Sequence, residues 1–239
     1  MNSVAVCMSP RQSGNLEILG IVAKALGGLR QRVVFVGGAT IELYLAPTAP
    51  AGRPTDDVDC VVEVASRAKF YDLEEELRGL GFRHPMSAGA PICRWEYSGI
   101  PVDVMPSGGE VLGFKNRWYA GGMRDARTAE LPDGSQIEIF SPPCLLASKI
   151  EAFRDRGRGD YFGSPDLEDV VTVLDGCPSL REELGKCSKE VSAFLAGSFR
   201  EFLSDERFVD SLQGHIEILQ PRGGRAAKVL ELMREFAAA

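Results

Sequence analysis

Three aspartates stand in stretches that otherwise read as apolar strands. Asp57 and Asp59 lie at the head of Asp57 to Val64 (DVDCVVEV), and Asp103 lies inside Ile100 to Met105 (IPVDVM). Side chains alternate along a strand, so Asp57 and Asp59 share one face while Val58 and Cys60 take the other. Two carboxylates so close repel each other, and one holds a proton unless a cation sits between them. Asp103 is flanked by Val102 and Val104, where an unpaired buried charge is costly. If the two strands are neighbours, the three acids form a hard-oxygen cage for Mg²⁺ or Mn²⁺, as phosphoryl-transfer chemistry uses. The bland alternative is a solvated acidic turn, and Asp56 just before the pair adds to it.

A glycine pair comes earlier. Arg32 to Val36 (RVVFV) reads as a buried strand that stops at Gly37-Gly38 and turns into a helix, Ala39 to Leu45. Glycines let the backbone approach a ligand, and a helix N-terminus offers free N–H groups to phosphate. There is no GxGxxG and no Lys-Ser/Thr pair, so a dinucleotide fold and a P-loop are both unsupported. Alone, Gly-Gly is more often a tight turn. Thr40 is either a helix N-terminal residue or a hydroxyl donor to phosphate, with the structural role slightly favoured.

These residues need elements to hold them. Leu16, Leu19, Val22, Ala23 and Leu26 recur at helical spacing, with Ser13 or Asn15 as N-cap. Phe70, Leu73, Leu77 and Leu80 mark a second amphipathic helix that ends at Gly81. Ile92 to Tyr97 and Ile100 to Met105 read as paired strands joined by Ser98-Gly99, and Gln136 to Phe140 as a further strand. Residues 1–140 are thus expected to form an α/β (α+β) domain with a mixed sheet. Residues 141–239 change character. Ser141-Pro142 is a good helix start, and helical patterns follow over Pro142 to Arg154, Asp166 to Leu174, Lys189 to Phe202 and Gly224 to Phe236.

The bulk numbers narrow the partners. A net charge of -7 over 239 residues repels polyanions overall, so nucleic acid would need a local basic patch or metal ions. Six scattered cysteines with no CxxC pair, and only two histidines, argue against a thiolate zinc site and for reduced thiols in the cytoplasm. The start, MNSVAVCMSPRQSG, does not read as a signal peptide, and no apolar run is long enough to cross a bilayer, so no membrane partner is expected.

In order, Val36-Gly37-Gly38-Ala39-Thr40, then Arg53-Pro54-Thr55-Asp56-Asp57-Val58-Asp59, then Val102-Asp103-Val104 resemble the DNA polymerase β-like nucleotidyltransferase superfamily. Within it the chain looks most like the AbiEii/MenT group of toxin-type nucleotidyltransferases. The wording Arg-x-Thr-x-Asp-h-Asp and the run Ser148-Lys149-Ile150-Glu151-Ala152-Phe153-Arg154, followed by Asp166-Leu167-Glu168-Asp169-Val170, carry that resemblance over roughly residues 33–175. It implies that Gly37 and Gly38 cradle the triphosphate, with Thr40, Arg53 and Thr55 beside it. Asp57, Asp59 and Asp103 would bind the metals, with Asp103 also a possible base. Lys149 would contact the nucleotide phosphates, and Asp166 would be a site acid. Where the group often carries Lys or Arg before that last helix, this chain has Ser164-Pro165.

From the residues alone, Lys149 falls within the stripe Leu145, Leu146, Ile150 and Phe153, where a lysine snorkels to solvent or reaches an anion in a cleft. Asp166 and Asp169 read independently as acids that favour a helix N-terminus. The run Arg154 to Asp160 (RDRGRGD) reads as a solvated loop, or as a guide for RNA or triphosphate. Trp95 reads as core, and Trp118 and Tyr119, near Lys115 and Arg117, as weak candidates for substrate contact. The expected activity is NMP transfer from an NTP to an acceptor hydroxyl of tRNA, protein or a small molecule, with a toxin-antitoxin pairing among the possibilities. The alternatives are a non-catalytic nucleotide-binding or interaction module of the same fold, and a metal-dependent phosphohydrolase.

Overall fold

The computed structural model describes residues 13–64, 66–87, 89–108, 116–217 and 224–238. Its strands are β1 (Val33–Val36), β2 (Val58–Val62), β3 (Arg94–Tyr97), β4 (Ile100–Pro106), β5 (Arg127–Glu130) and β6 (Gln136–Ile139). They form a six-stranded mixed sheet in the order β3-β4-β2-β1-β6-β5. The central strands are β-branched and buried, Val33 to Val36 throughout and β2 at Val58, Cys60, Val61 and Val62. That composition suits strands covered on both faces. The edge strand β5 alternates half-buried and exposed residues and has no apolar run, so the sequence patterns did not mark it.

Register fixes the chemistry. β2 runs parallel to β4 with Asp59 beside Asp103. β1 runs antiparallel to β2 with Val36 opposite Asp59, so Gly37 emerges next to the same carboxylate. Asp57 stands one residue before β2, at the end of the loop that enters it. β3 and β4 are joined through Ser98 (φ 51°) and Gly99 (φ 81°). Both are left-handed, as a tight two-residue hairpin requires. Counting back from that turn sets Tyr97 against Ile100, Trp95 against Val102 and Arg94 against Asp103.

The helices are α1 (Gly14–Ala25), α2 (Arg67–Gly79), α3 (Tyr119–Arg124), α4 (Pro142–Arg156), α5 (Pro165–Gly176), α6 (Leu180–Leu184), α7 (Lys189–Ser204), α8 (Glu206–Glu217) and α9 (Arg225–Ala238). The fold is α+β with a helical C-terminal region. Ser13 and Ser66 cap α1 and α2 by accepting the N–H of Leu16 and Lys69. Ser141 precedes α4, but its hydroxyl is given to Asp125 at 2.5 Å. The expected helix Ala39 to Leu45 is instead a 3₁₀ helix, Gly38–Tyr44. Three residues per turn aligns Ile41 with Tyr44, and both are buried. The Tyr44 hydroxyl then donates to the Phe140 carbonyl at 2.8 Å.

Apolar packing crosses residue 141 without a break. A continuous cluster runs from Leu16 and Leu19 in α1 through the sheet to Leu146 and Ile150 in α4 and Val229 and Met233 in α9. Cys60, Cys93, Cys144 and Cys177 are free and buried, and Cys187 is free and half-buried. Cys7, Lys115 and the first twelve residues lie outside the described residues. Among those described, no helix is long and apolar enough to cross a membrane.

Asn15 ties α1 to the loop entering β2. Its buried side chain donates to the Arg53 carbonyl at 2.9 Å and accepts the Thr55 N–H at 3.1 Å. Asn15→Ala is expected to lower unfolding free energy by roughly 1–3 kcal/mol, read by urea denaturation, with the far-ultraviolet circular dichroism unchanged.

Candidate functional site

The carboxylates gather at one end of the sheet. Thr55 donates its hydroxyl to Asp57 Oδ1 at 2.7 Å and so orients that side chain. Gly37 has φ 80°, and a Cβ there would stand 1.9 Å from Asp59 Oδ2. A Cβ on Gly38 would stand 2.8 Å from the Arg53 guanidinium. Gly37 is therefore required by its left-handed backbone and the Asp59 side chain, whereas at Gly38 the end of the Arg53 side chain would have to shift. Burial pushes the Asp59 carboxyl up to about 7, with the negative charge of Asp57 next and that of Asp103 smaller; Lys149 and Arg156 oppose the rise. Asp59 is thus short of positive charge.

Asp103 has its own cation. Arg94 donates from Nε to Oδ1 at 2.8 Å and from Nη2 to Oδ2 at 2.7 Å, and Nη2 lies 3.5 Å from Asp57 Oδ2. Sequence patterns passed over Arg94. The signal was present, because a two-residue turn at Ser98-Gly99 sets Arg94 opposite Asp103 by counting alone. Among the described residues, no three acidic, His or Cys side chains converge as one metal site. The donor atoms by type are those a hard divalent ion takes. The set is all oxygen, it is anionic, and a guanidinium already stands where positive charge is needed.

A second set of charges lies between α4, α5 and the loop before β2, with Lys149, Asp166 and Asp169 buried at its centre and the exposed Arg156 at one end. Arg53 donates to both oxygens of Asp169, at 3.1 and 3.3 Å. Lys149 Nζ lies 2.7 Å from Asp169 and 3.2 Å from Asp166. Arg156 closes on Asp166 at 2.7 and 2.8 Å. Signs alternate along the chain Arg53, Asp169, Lys149, Asp166, Arg156. Burial would discharge Lys149, but Asp169 and Asp166 outweigh it and raise its pKa. Burial likewise works against the Asp166 charge, but Arg156 and Lys149 hold its pKa down. Asp169 is only 1% exposed. It is a central acid here, where the sequence offered only a helix-terminus role.

The residues expected on a nucleotide make protein contacts in this structure. Thr40 is fully buried and donates to the Gly37 carbonyl at 2.9 Å, which holds the glycine turn. Arg53 and Lys149 face Asp169, and Thr55 faces Asp57. Lys149 neither snorkels nor stands free; it is 7% exposed. Trp95 is buried with His84 stacked 3.8 Å away, centroid to centroid, and Trp118 is buried against Phe194. Tyr119 reaches the site, with its hydroxyl on Met105 Sδ at 3.3 Å. A cavity of about 300 Å³ is lined by Gly37, Asp59, Asp103, Tyr119, Lys149 and Arg156. A wider one of about 850 Å³, lined by Asp57, Arg94, Arg156, Arg158 and Asp166, shares Arg156 and Asp166 with it.

The chain matches no protein-family model and no curated protein. It is similar to JHP933 from Helicobacter pylori, at 11% sequence identity over 95% of this chain and 94% of that one, with a TM-score of 0.49. A likeness that loose carries no argument about chemistry.

Two outcomes follow from the geometry. Asp59 ionises at 3.8 in an unpaired setting and at about 7 here. Between those values the folded protein holds the extra proton, so stability falls as pH rises across that window, and the loss is complete above it. Asp59→Asn is therefore expected to match the parent near pH 4 and to exceed it at pH 8 by roughly 1–3 kcal/mol, measured by denaturant melts across pH without metal. Asp169→Ala leaves Arg53 without its carboxylate partner and Lys149 with Asp166 alone, and is expected to cost roughly 3–5 kcal/mol by the same melts.

Proposed function

We propose that this protein is a Mg²⁺- or Mn²⁺-dependent nucleotidyltransferase of the DNA polymerase β-like superfamily, akin to the AbiEii/MenT group, that moves NMP from an NTP to an acceptor hydroxyl. The observation that carries this reading is the parallel pairing of β2 with β4, which stands Asp59 beside Asp103 with Gly37 against the Asp59 carboxylate. Asp57, Asp59 and Asp103 would hold the metal. Bound there, the ion supplies charge neutralisation at the phosphoryl oxygens and lowers the pKa of the attacking hydroxyl. The acceptor oxygen attacks the α-phosphorus, the bond to the β-phosphate oxygen breaks, pyrophosphate leaves, and the hydroxyl proton passes to a site carboxylate. Thr55 orients Asp57. The ion chain keeps the loop before β2 fixed relative to α4 and α5. Positioning and charge are the main demands of such a transfer.

The acceptor is a tRNA end, a protein side chain or a small molecule, and a toxin-antitoxin partnership is part of the proposal. A second reading, a non-catalytic nucleotide-binding module, is favoured by one observation: Arg94 already neutralises Asp103.

The test is to mix the full chain with Mg²⁺, each α-labelled NTP in turn and total tRNA, beside the Asp57→Ala/Asp59→Ala variant. Label on RNA or protein is expected, reduced in the variant by at least about 100-fold. Release of inorganic phosphate in place of pyrophosphate would select a phosphohydrolase. Metal-independent NTP binding unchanged by Asp57→Ala would select the module.

A further inference from the structure

Arg94 bridges acids from two different segments. Its fork takes both oxygens of Asp103 and reaches toward Asp57. A bidentate pair of this kind fixes both partners and occupies the lone pairs between them. While it stands, Asp103 cannot turn those lone pairs to a metal. Yet Arg94 is placed to move. It lies on β3, an edge strand, its side chain is 32% exposed, and it lines the wider cavity together with Arg156 and Arg158.

We propose that Arg94 is an exchangeable counter-ion. It neutralises Asp103 and Asp57 in the metal-free protein, yields them to a divalent cation, and then pairs with a phosphate of the incoming triphosphate in the adjoining cavity. The proposal rests on the transferase reading above and adds a positioning residue to it. A dication carries twice the charge of a guanidinium to the Asp103 and Asp57 carboxylates that Arg94 faces, so it wins them by Coulomb energy. The displaced guanidinium stays charged at any working pH, and its planar fork matches phosphate oxygens as well as carboxylate ones. No covalent bond changes in the exchange. One ion pair, Arg94 with Asp103, is replaced by two, metal with carboxylate and Arg94 with phosphate. Metal and triphosphate binding are thereby coupled, each favouring the other.

The test uses the full chain, Mn²⁺ as the ion, followed by electron paramagnetic resonance of the free ion, and inorganic tripolyphosphate as the anion, followed by calorimetry. Without tripolyphosphate, Arg94→Gln is expected to bind Mn²⁺ at least about tenfold more tightly than the parent, because no ion pair must break. With Mn²⁺ saturating, the same variant is expected to bind tripolyphosphate at least about tenfold more weakly. A merely structural role would weaken both. Arg94→Lys keeps the charge but not the fork, is expected to fall between, and carries the test if the Gln variant does not fold. If the parent binds Mn²⁺ in a manner lost in Asp59→Asn but Arg94→Gln binds it no better, the counter-ion role is overturned and the metal site stands. Unchanged tripolyphosphate affinity overturns the transfer of Arg94 to phosphate. If neither protein binds Mn²⁺, the counter-ion role and the metal-dependent reading fall together.

Discussion

Asp59 and Asp103 are held in register on adjacent parallel strands, and the burial of the Asp59 carboxylate, with Asp57 and Asp103 beside it, sets the terms for the charges around them. The backbone hydrogen bonds of β2 and β4 do not let either residue retreat. The charge has to be met where it stands. Arg94 meets it at Asp103, while Asp59 shares its burden with a proton and with Lys149 and Arg156 at longer range. The register of the sheet thus concentrates carboxylates at this edge of the site.

The glycine turn belongs to the same constraint. Gly37 emerges opposite Asp59 because β1 is antiparallel to β2, and no side chain fits there. Thr40 then holds the turn from beneath through the Gly37 carbonyl. The 3₁₀ helix that follows is short and buries Ala39, Ile41 and Tyr44. The turn's closeness to Asp59 comes from backbone geometry alone.

The ion chain from Arg53 to Arg156, buried at Asp169, Lys149 and Asp166 and open to solvent at Arg156, joins the two halves of the sequence. Each acid takes two cations and each of the buried links is satisfied, which is the condition under which interior charges are tolerated. The chain fastens the loop that delivers Asp57 to the helices α4 and α5. Residue 141 thus marks a change of element type, while the core and the charge network run straight across it.

The sequence by itself determined the mixed α+β layout, the principal strands and helices, and the strand face shared by the acids. Those properties follow from local periodicity, caps and turn residues, each readable within about ten residues. It also held the Arg94–Asp103 pairing, since a hairpin turn dictates its own register. What only the tertiary structure decided was which strand lies beside β2, and what Lys149, Arg53 and Asp169 touch. Arg53 and Asp169 are 116 residues apart in the chain. No local pattern encodes such a pair. Its partners were chosen by the packing of α5 against α4 and the 3₁₀ helix, where a buried charge takes whatever opposite charge the fold brings within reach.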